Sequence, residues 1–347
     1  MKKYILFLAA FFTLCSCQNK TEENPSKAQI VSIQDFVGKT LELKDLGCNV
    51  QTILLHTDTA GYIGDIKDIC RVDSFLYILD GATLSVSKFN QDGLLLRQIS
   101  TQGNGPMEYI QPMSLCADKS HVYLLDLPGM SIISYNQDLK AEEEITLPFP
   151  CSEFIRTEKG FLCYNMAPTD SLKPLVHISR EGKIIDSYSI NIFHSQMSLG
   201  AKIFCQDDQG NIFINPPITQ TIYRWNPDSE TAEEYITFDF GSKNFPHDSE
   251  LNVTRLGELP YAFPMYFFHI QESFLYSFLY QDQSYYYQKT STADKAGSIS
   301  KQSSYPFFPR WQIGNRLIGT CPSEFLHLGS EQEAGEVLLF FSFRSRK

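Results

Sequence analysis

The side chains that could do chemistry in this chain are spread along it, and their spacing excludes the common catalytic designs. Seven histidines (His56, His121, His177, His194, His247, His269 and His327) never come within five residues of one another. No helix face with His-Glu-x-x-His can therefore hold a zinc ion. There is no Gly-x-Ser-x-Gly elbow to expose a nucleophilic serine, and no Cys-x-x-Cys for metal or redox work. Asp207-Asp208-Gln209-Gly210-Asn211 looks superficially like a calcium loop, but the spaced ligands and the distal glutamate are missing, so it reads as a turn. What remains is a set of acids and amides, Asp80, Asp126, Asn215 and Glu108, with Tyr109 beside the last. Two aromatic clusters, 261–268 and 305–311, could stack on sugar rings, though filling a core is the more ordinary use of such rings. None of these patterns asks for a metal or another cofactor.

The elements that must position these residues are visible as a repeat. Residues 70–99 return 46 positions later as 116–145: Cys70 meets Cys116, Tyr77 meets Tyr123, Leu79-Asp80 meets Leu125-Asp126, and Asn90-Gln91-Asp92 meets Asn136-Gln137-Asp138. A period of this length with strand patterning is that of a propeller blade. The expected fold is all-β: a six-bladed β-propeller of four-stranded antiparallel blades, six fitting the period better than seven. The blades are expected at about 66–100, 113–147, 152–190, 202–240, 260–302 and 307–343. The strand-like run 47–58 precedes the first repeat and is expected to join the last blade, closing the ring so that no open edge remains. A polar insertion at 242–259 is expected as a surface loop. The hairpin at 136–140 lacks the glycine of its counterpart at 90–93, so a different turn type is expected there.

In a propeller, the turns between second and third strands share a face with the connectors between blades. Asp80, Asp126 and Asn215 then lie around the channel mouth with Glu108 and Tyr109, and these five form the candidate binding face. The plainer reading is that the repeated aspartates accept backbone N–H bonds at their turns, and that Glu108 and Tyr109 fix a connector. Cys70, Cys116 and Cys205 occupy equivalent places before the second strand and read as small buried hydrophobes rather than bonded pairs. At least three acids, amides or histidines from different blades converging on the channel axis would favour an enzyme; no such set is apparent.

The connector carries the most specific signal. Gly103-x-Gly105-Pro106-x-Glu108-Tyr109-x-x-Pro112, following a hydrophobic-Tyr-hydrophobic-x-Asp strand and an aromatic third strand, resembles NHL-type six-bladed propellers, with TolB-like repeats a related form. It is more closely similar to the six-bladed propeller lipoproteins of gut Bacteroidetes. The resemblance covers about 66–147. It implies an extracytoplasmic module that binds a protein, peptide or glycan, with a channel-centred hydrolase or lyase, metal-assisted and carbohydrate-related, as the alternative.

The N-terminus fits that address. Lys2-Lys3 precede an eleven-residue apolar run, Tyr4 to Leu14, too short to span a bilayer. Leu14-Cys15-Ser16-Cys17 resembles a bacterial lipobox, giving a signal peptide at 1–16 and a diacylglycerol-modified Cys17 as the lipid attachment point. Residues 17–45 are expected to be a flexible tether and 46–347 the propeller. The expected location is extracytoplasmic, lipid-anchored to the outer membrane on its periplasmic or surface side. Formal charge is −11, which argues against nucleic acid as a partner and leaves the membrane to be reached through the anchor.

Overall fold

The computed structural model describes residues 28–57, 63–193, 202–246, 258–328 and 335–343. The signal segment 1–16, Cys17, the start of the expected tether and most of the insertion expected at 242–259 lie outside the described residues.

Three strands precede the repeats: β1 (Gln29–Ser32), β2 (Thr40–Leu41) and β3 (Cys48–Leu54). The first blade is β4 (Ile66–Val72), β5 (Phe75–Asp80), β6 (Ser85–Phe89) and β7 (Leu95–Ile99). The second is β8 (Pro112–Ala117), β9 (His121–Asp126), β10 (Ser131–Asn136) and β11 (Ala141–Thr146). The third is β12 (Cys151–Arg156), β13 (Gly160–Asn165), β14 (Leu175–Ser179) and β15 (Ile184–Tyr188). The fourth is β16 (Phe204–Gln206), β17 (Ile212–Ile214), β18 (Thr221–Asn226) and β19 (Thr231–Asp239). The fifth is β20 (Phe263–Ile270), β21 (Ser273–Tyr280), β22 (Gln283–Lys289) and β23 (Asp294–Ile299). The sixth has β24 (Trp311–Ile313), β25 (Arg316–Pro322) and β26 (Glu336–Phe343), and takes its outer strand from β3. Val337 to Phe343 pair antiparallel with Leu54 to Cys48, so the ring is sealed by residues from the two ends of the chain.

Burial explains why the strands read as they do. A middle strand is covered on both faces by neighbouring blades, so β5 and β9 are apolar almost without interruption. Outer strands face water, and β11 exposes a run of glutamates.

One expected boundary is corrected. Residues 29–41 do not continue a free tether: β1 adds a parallel strand to the edge of β19, and β2 adds one to β23. Val31, Ile33 and Phe36 are buried, and the Phe36 ring meets those of Phe240, Phe278, Tyr280 and Tyr285 edge-on at 4.8–6.3 Å. Polar neighbours masked this apolar spacing, which makes sense only against two exposed sheet edges. The N-terminal segment therefore straps the fourth, fifth and sixth blades in turn.

The hairpin at 136–140 also differs from expectation. Asn136 Oδ1 accepts from the N–H groups of Asp138 and Lys140, as Asn90 Oδ1 does from Asp92 and Leu94. Leu139, at φ +55°, takes the left-handed place of Gly93, at φ +82°. Its buried side chain offsets the backbone cost, about 1 kcal/mol, so the turn is conserved without glycine. At Gly93 no such exchange is possible, because a Cβ would sit 2.1 Å from the Leu54 carbonyl oxygen of the closing strand.

The channel cavity and its polar layer

The five side chains of the expected binding face lie at the N-terminal ends of the inner strands, where Asp80 pairs with Ile66 and Asp126 with Pro112. All five have internal partners. Asp80 accepts from the N–H groups of Gly64, Ala82 and Thr83, and Asp126 from those of Gln111 and Gly129. Each buried carboxylate thus ties a turn to the connector leading into its own blade. Asn215 donates to the carbonyl of Met265 in the next blade. Glu108 folds back onto the N–H of Gly105, and Gly103 leaves room for it, since a Cβ there would lie 1.9 Å from Glu108 Oε2. The Tyr109 ring is fully buried and its hydroxyl donates to the carbonyl of Leu84.

A cavity of about 260 Å3 runs instead along the C-terminal halves of the inner strands. Every blade contributes to its wall, from 68–71 in the first to 310–314 in the sixth. Its wall carries charged groups that reasoning from motifs overlooked. Asp68 and Glu153 occupy the same place in the first and third blades, and Ser114 the same place in the second. In each case the pairing register shifts immediately before that residue. A bulge of this kind re-aims a side chain, and here it brings each residue to the neighbouring blade. Asp68 Oδ2 accepts from Ser114 Oγ and from the N–H of Leu115, while Glu153 accepts from the N–H groups of Ile203 and Phe204.

Lys202 joins the two acids, with Nζ 2.9 Å from Asp68 Oδ2 and 3.2 Å from Glu153 Oε1. Burial works against its charge, but the two carboxylates prevail and hold the ammonium above its ordinary range. Burial raises Glu153, with Lys202 and the two N–H donors opposing the shift. Tyr266 of the fifth blade and Arg310 of the sixth meet beside this layer, and burial raises the tyrosine. The Arg310 guanidinium lies 4.5 Å from the Trp311 ring centroid.

Elsewhere on the wall, Asp207 forms the turn after β16. It accepts from the N–H groups of Gln209 and Asn211 and from Asn211 Nδ2, which gives the calcium-like sequence its structural role. His269 Nδ1 lies 3.0 Å from Asp207 Oδ2, and its ring stacks on Phe213. Burial pushes His269 below its ordinary value, against the pull of Asp207. Cys70, Cys116 and Cys205 line the same cavity as free thiols, and burial pushes all three well up from the usual thiol range. They are poor nucleophiles there.

Three acids from three blades, Asp68, Glu153 and Asp207, therefore stand on the channel wall. Asp68 and Glu153 meet at Lys202, Asp207 stands apart on its own turn donors and His269, and no group of three His, Cys, Asp or Glu side chains among the described residues could hold a metal ion. Asp68 and Glu153 stand as acids within the inner strands IKDICRV and CSEFIR, but Lys67, Arg71 and Arg156 share those strands, so no local pattern singled the acids out. Lys202, in a connector, carried no mark either.

The aromatic clusters divide. Phe263, Tyr266, Phe267 and Phe268 are buried between blades, as are Phe307 and Trp311, whereas Phe308 is exposed.

The fold and this site define a closed six-bladed β-propeller with a polar layer across its channel. The chain belongs to the family described as Domain of unknown function (DUF4934), whose model matches residues 28–337. Among solved structures it is similar to a Bacteroides fragilis protein whose name marks it as expected to be exported. The two are 19% identical with a TM-score of 0.74, over 91% of this chain and 100% of that one. It is also similar to a member of the DUF4221 family from Bacteroides vulgatus, 6% identical with a TM-score of 0.54, over 86% of this chain and 99% of that one. At these identities the likeness is one of fold. None of the curated proteins matches the sequence.

Proposed function

We propose that this protein is an extracytoplasmic binding module that receives a small ligand, or the end of a peptide or glycan, in its channel cavity. The observation that carries this reading is the cavity itself: six blades supply its wall, and an ion-paired group of Asp68, Lys202 and Glu153 lies within it. About 260 Å3 is slightly below the volume of a pocket for a drug-sized ligand, which suits a single sugar or a short chain end. The lipobox-like Leu14-Cys15-Ser16-Cys17 supports attachment of the module to the outer membrane through an acylated Cys17. The Bacteroides fragilis neighbour's name agrees with a location outside the cytoplasm.

Peptide and glycan arrays probed with the full chain test the binding half. Ala117→Trp, at the cavity wall, is expected to abolish recognition of whatever the unaltered chain binds; retained recognition would place the site elsewhere. For anchoring, Cys17→Ser is expected to move the protein from the membrane to the soluble fraction, and an unchanged distribution would reject the acyl anchor.

The alternative is a hydrolase or lyase, for which the Asp207–His269 pair is the candidate acid–base group, although the imidazole packs against Phe213 and Tyr235 rather than lining the cavity. The satisfied state of all three channel acids weighs for binding. A turnover assay on array hits separates the readings: product formation lost in His269→Gln would establish the enzyme.

A further inference from the structure

The cavity wall is balanced in formal charge but not in ion pairing. Its carboxylates are supplied: Asp68 has three donors on Oδ2 and the Ile69 N–H on Oδ1. Glu153 takes Lys202 and two backbone N–H groups, and Asp207 takes its turn and His269. The guanidiniums lack carboxylate partners. Neither Arg71 at the outer end nor Arg310 at the inner end has a carboxylate within ion-pair distance among the described residues, and the contacts of Arg310 are Tyr266 and the Trp311 ring. Arg316, which opens β25, lies close enough to Arg71 to be lowered by it, after the larger effect of its own burial.

A wall whose carboxylates are already paired, and whose two arginines have no carboxylate partner, suits a ligand that brings negative charge and acceptors of its own. Ile155, Phe204 and Phe268 also line the wall, which gives an organic body apolar surface to pack on beside the charged groups. Resting on the binding reading above, we infer that the cavity recognises a carboxylate-bearing ligand, its carboxylate bonded by Arg71 or Arg310. The carboxylate could be that of an acidic sugar or of a peptide C-terminus, and the two sources are separated below.

Trp225 and Trp311 are the two tryptophans, and Trp311 lines the cavity, so the full chain carrying Trp225→Phe reports on the site by fluorescence. The probes are D-galacturonate with D-galactose, and N-acetyl-L-phenylalanine with its amide. The expected result is saturable perturbation by one acid, with its neutral partner weaker by about tenfold or more, the worth of a charge-assisted bond. Galacturonate alone would identify an acidic sugar, and the acetylated amino acid alone a peptide end. Arg71→Gln or Arg310→Gln should remove the preference for the acid, and Arg71→Lys should retain part of any preference that Arg71 confers. Acid and neutral probes binding equally would overturn the inference while leaving the cavity a binding site. No response to any probe would overturn both.

Discussion

Lys202 Nζ lies 2.9 Å from Asp68 Oδ2 across 134 residues of sequence, and the same ammonium reaches Glu153, so one side chain joins the first, third and fourth blades. A buried ion triad contributes little net stability compared with apolar packing, because desolvation offsets most of the Coulomb gain. Its effect is to specify: it ties the inner ends of the first, third and fourth blades to one another.

Lys202→Met should therefore be costly out of proportion to its area, since two buried carboxylates lose their counter-charge. We expect a loss of about 3–5 kcal/mol in urea unfolding at pH 7. Adding Asp68→Asn and Glu153→Gln should restore a good part of it. If the triple variant is no more stable than the single, uncompensated charge is not the cause.

Asp118 supplies a pH signature. Burial opposes its charge, yet donors from Ser120, His121 and Tyr123 outweigh burial and bring the carboxyl down to about 2. A folded value below the unfolded 3.8 means stability that is present above pH 3.8 and lost as pH falls towards 2. Unfolding of Asp118→Asn against the unaltered chain should show a deficit of about 1–2 kcal/mol at pH 6. That deficit should shrink steadily between pH 4 and pH 2. A deficit independent of pH would assign the effect to packing.

The N-terminal strap is structural. Phe36→Ala removes a buried ring touching four others and should cost about 3–5 kcal/mol, although the residue lies outside every blade. Denaturant midpoints measure this, and a change under about 0.5 kcal/mol would show the strap to be peripheral.

The connector 103–109 predicts coupling. Gly103→Ala should expel the Glu108 carboxylate from its place on Gly105, at a cost of about 1 kcal/mol. In a Glu108→Ala background the same substitution should be nearly neutral. Additive effects in a double-mutant cycle would rule out the contact as the reason for the glycine.

Much of this architecture was legible in the residues. The repeat at 70–99 and 116–145, the turn residues and the lone strand at 48–54 are local patterns, and a blade is local: its four strands follow one another and pair with their neighbours. Six blades and closure by the N-terminal strand followed from counting and from the need to leave no open edge. Residues 29–41 were not legible, because a short alternation in polar surroundings acquires meaning only beside the sheet edges it covers. Asp80, Asp126, Glu108 and Tyr109 could be placed at turns and connectors by pattern, but their hydrogen-bond partners could not.

What the linear order of residues determined, then, was each blade and the way the ring is sealed, because both depend on neighbours in the chain and on satisfying backbone groups. Only the tertiary structure decided the channel. Asp68, Glu153, Lys202 and Arg310 come from separate blades, and whether such charges neutralise one another or remain free for a ligand depends on distances of a few ångströms around an axis that no single repeat contains.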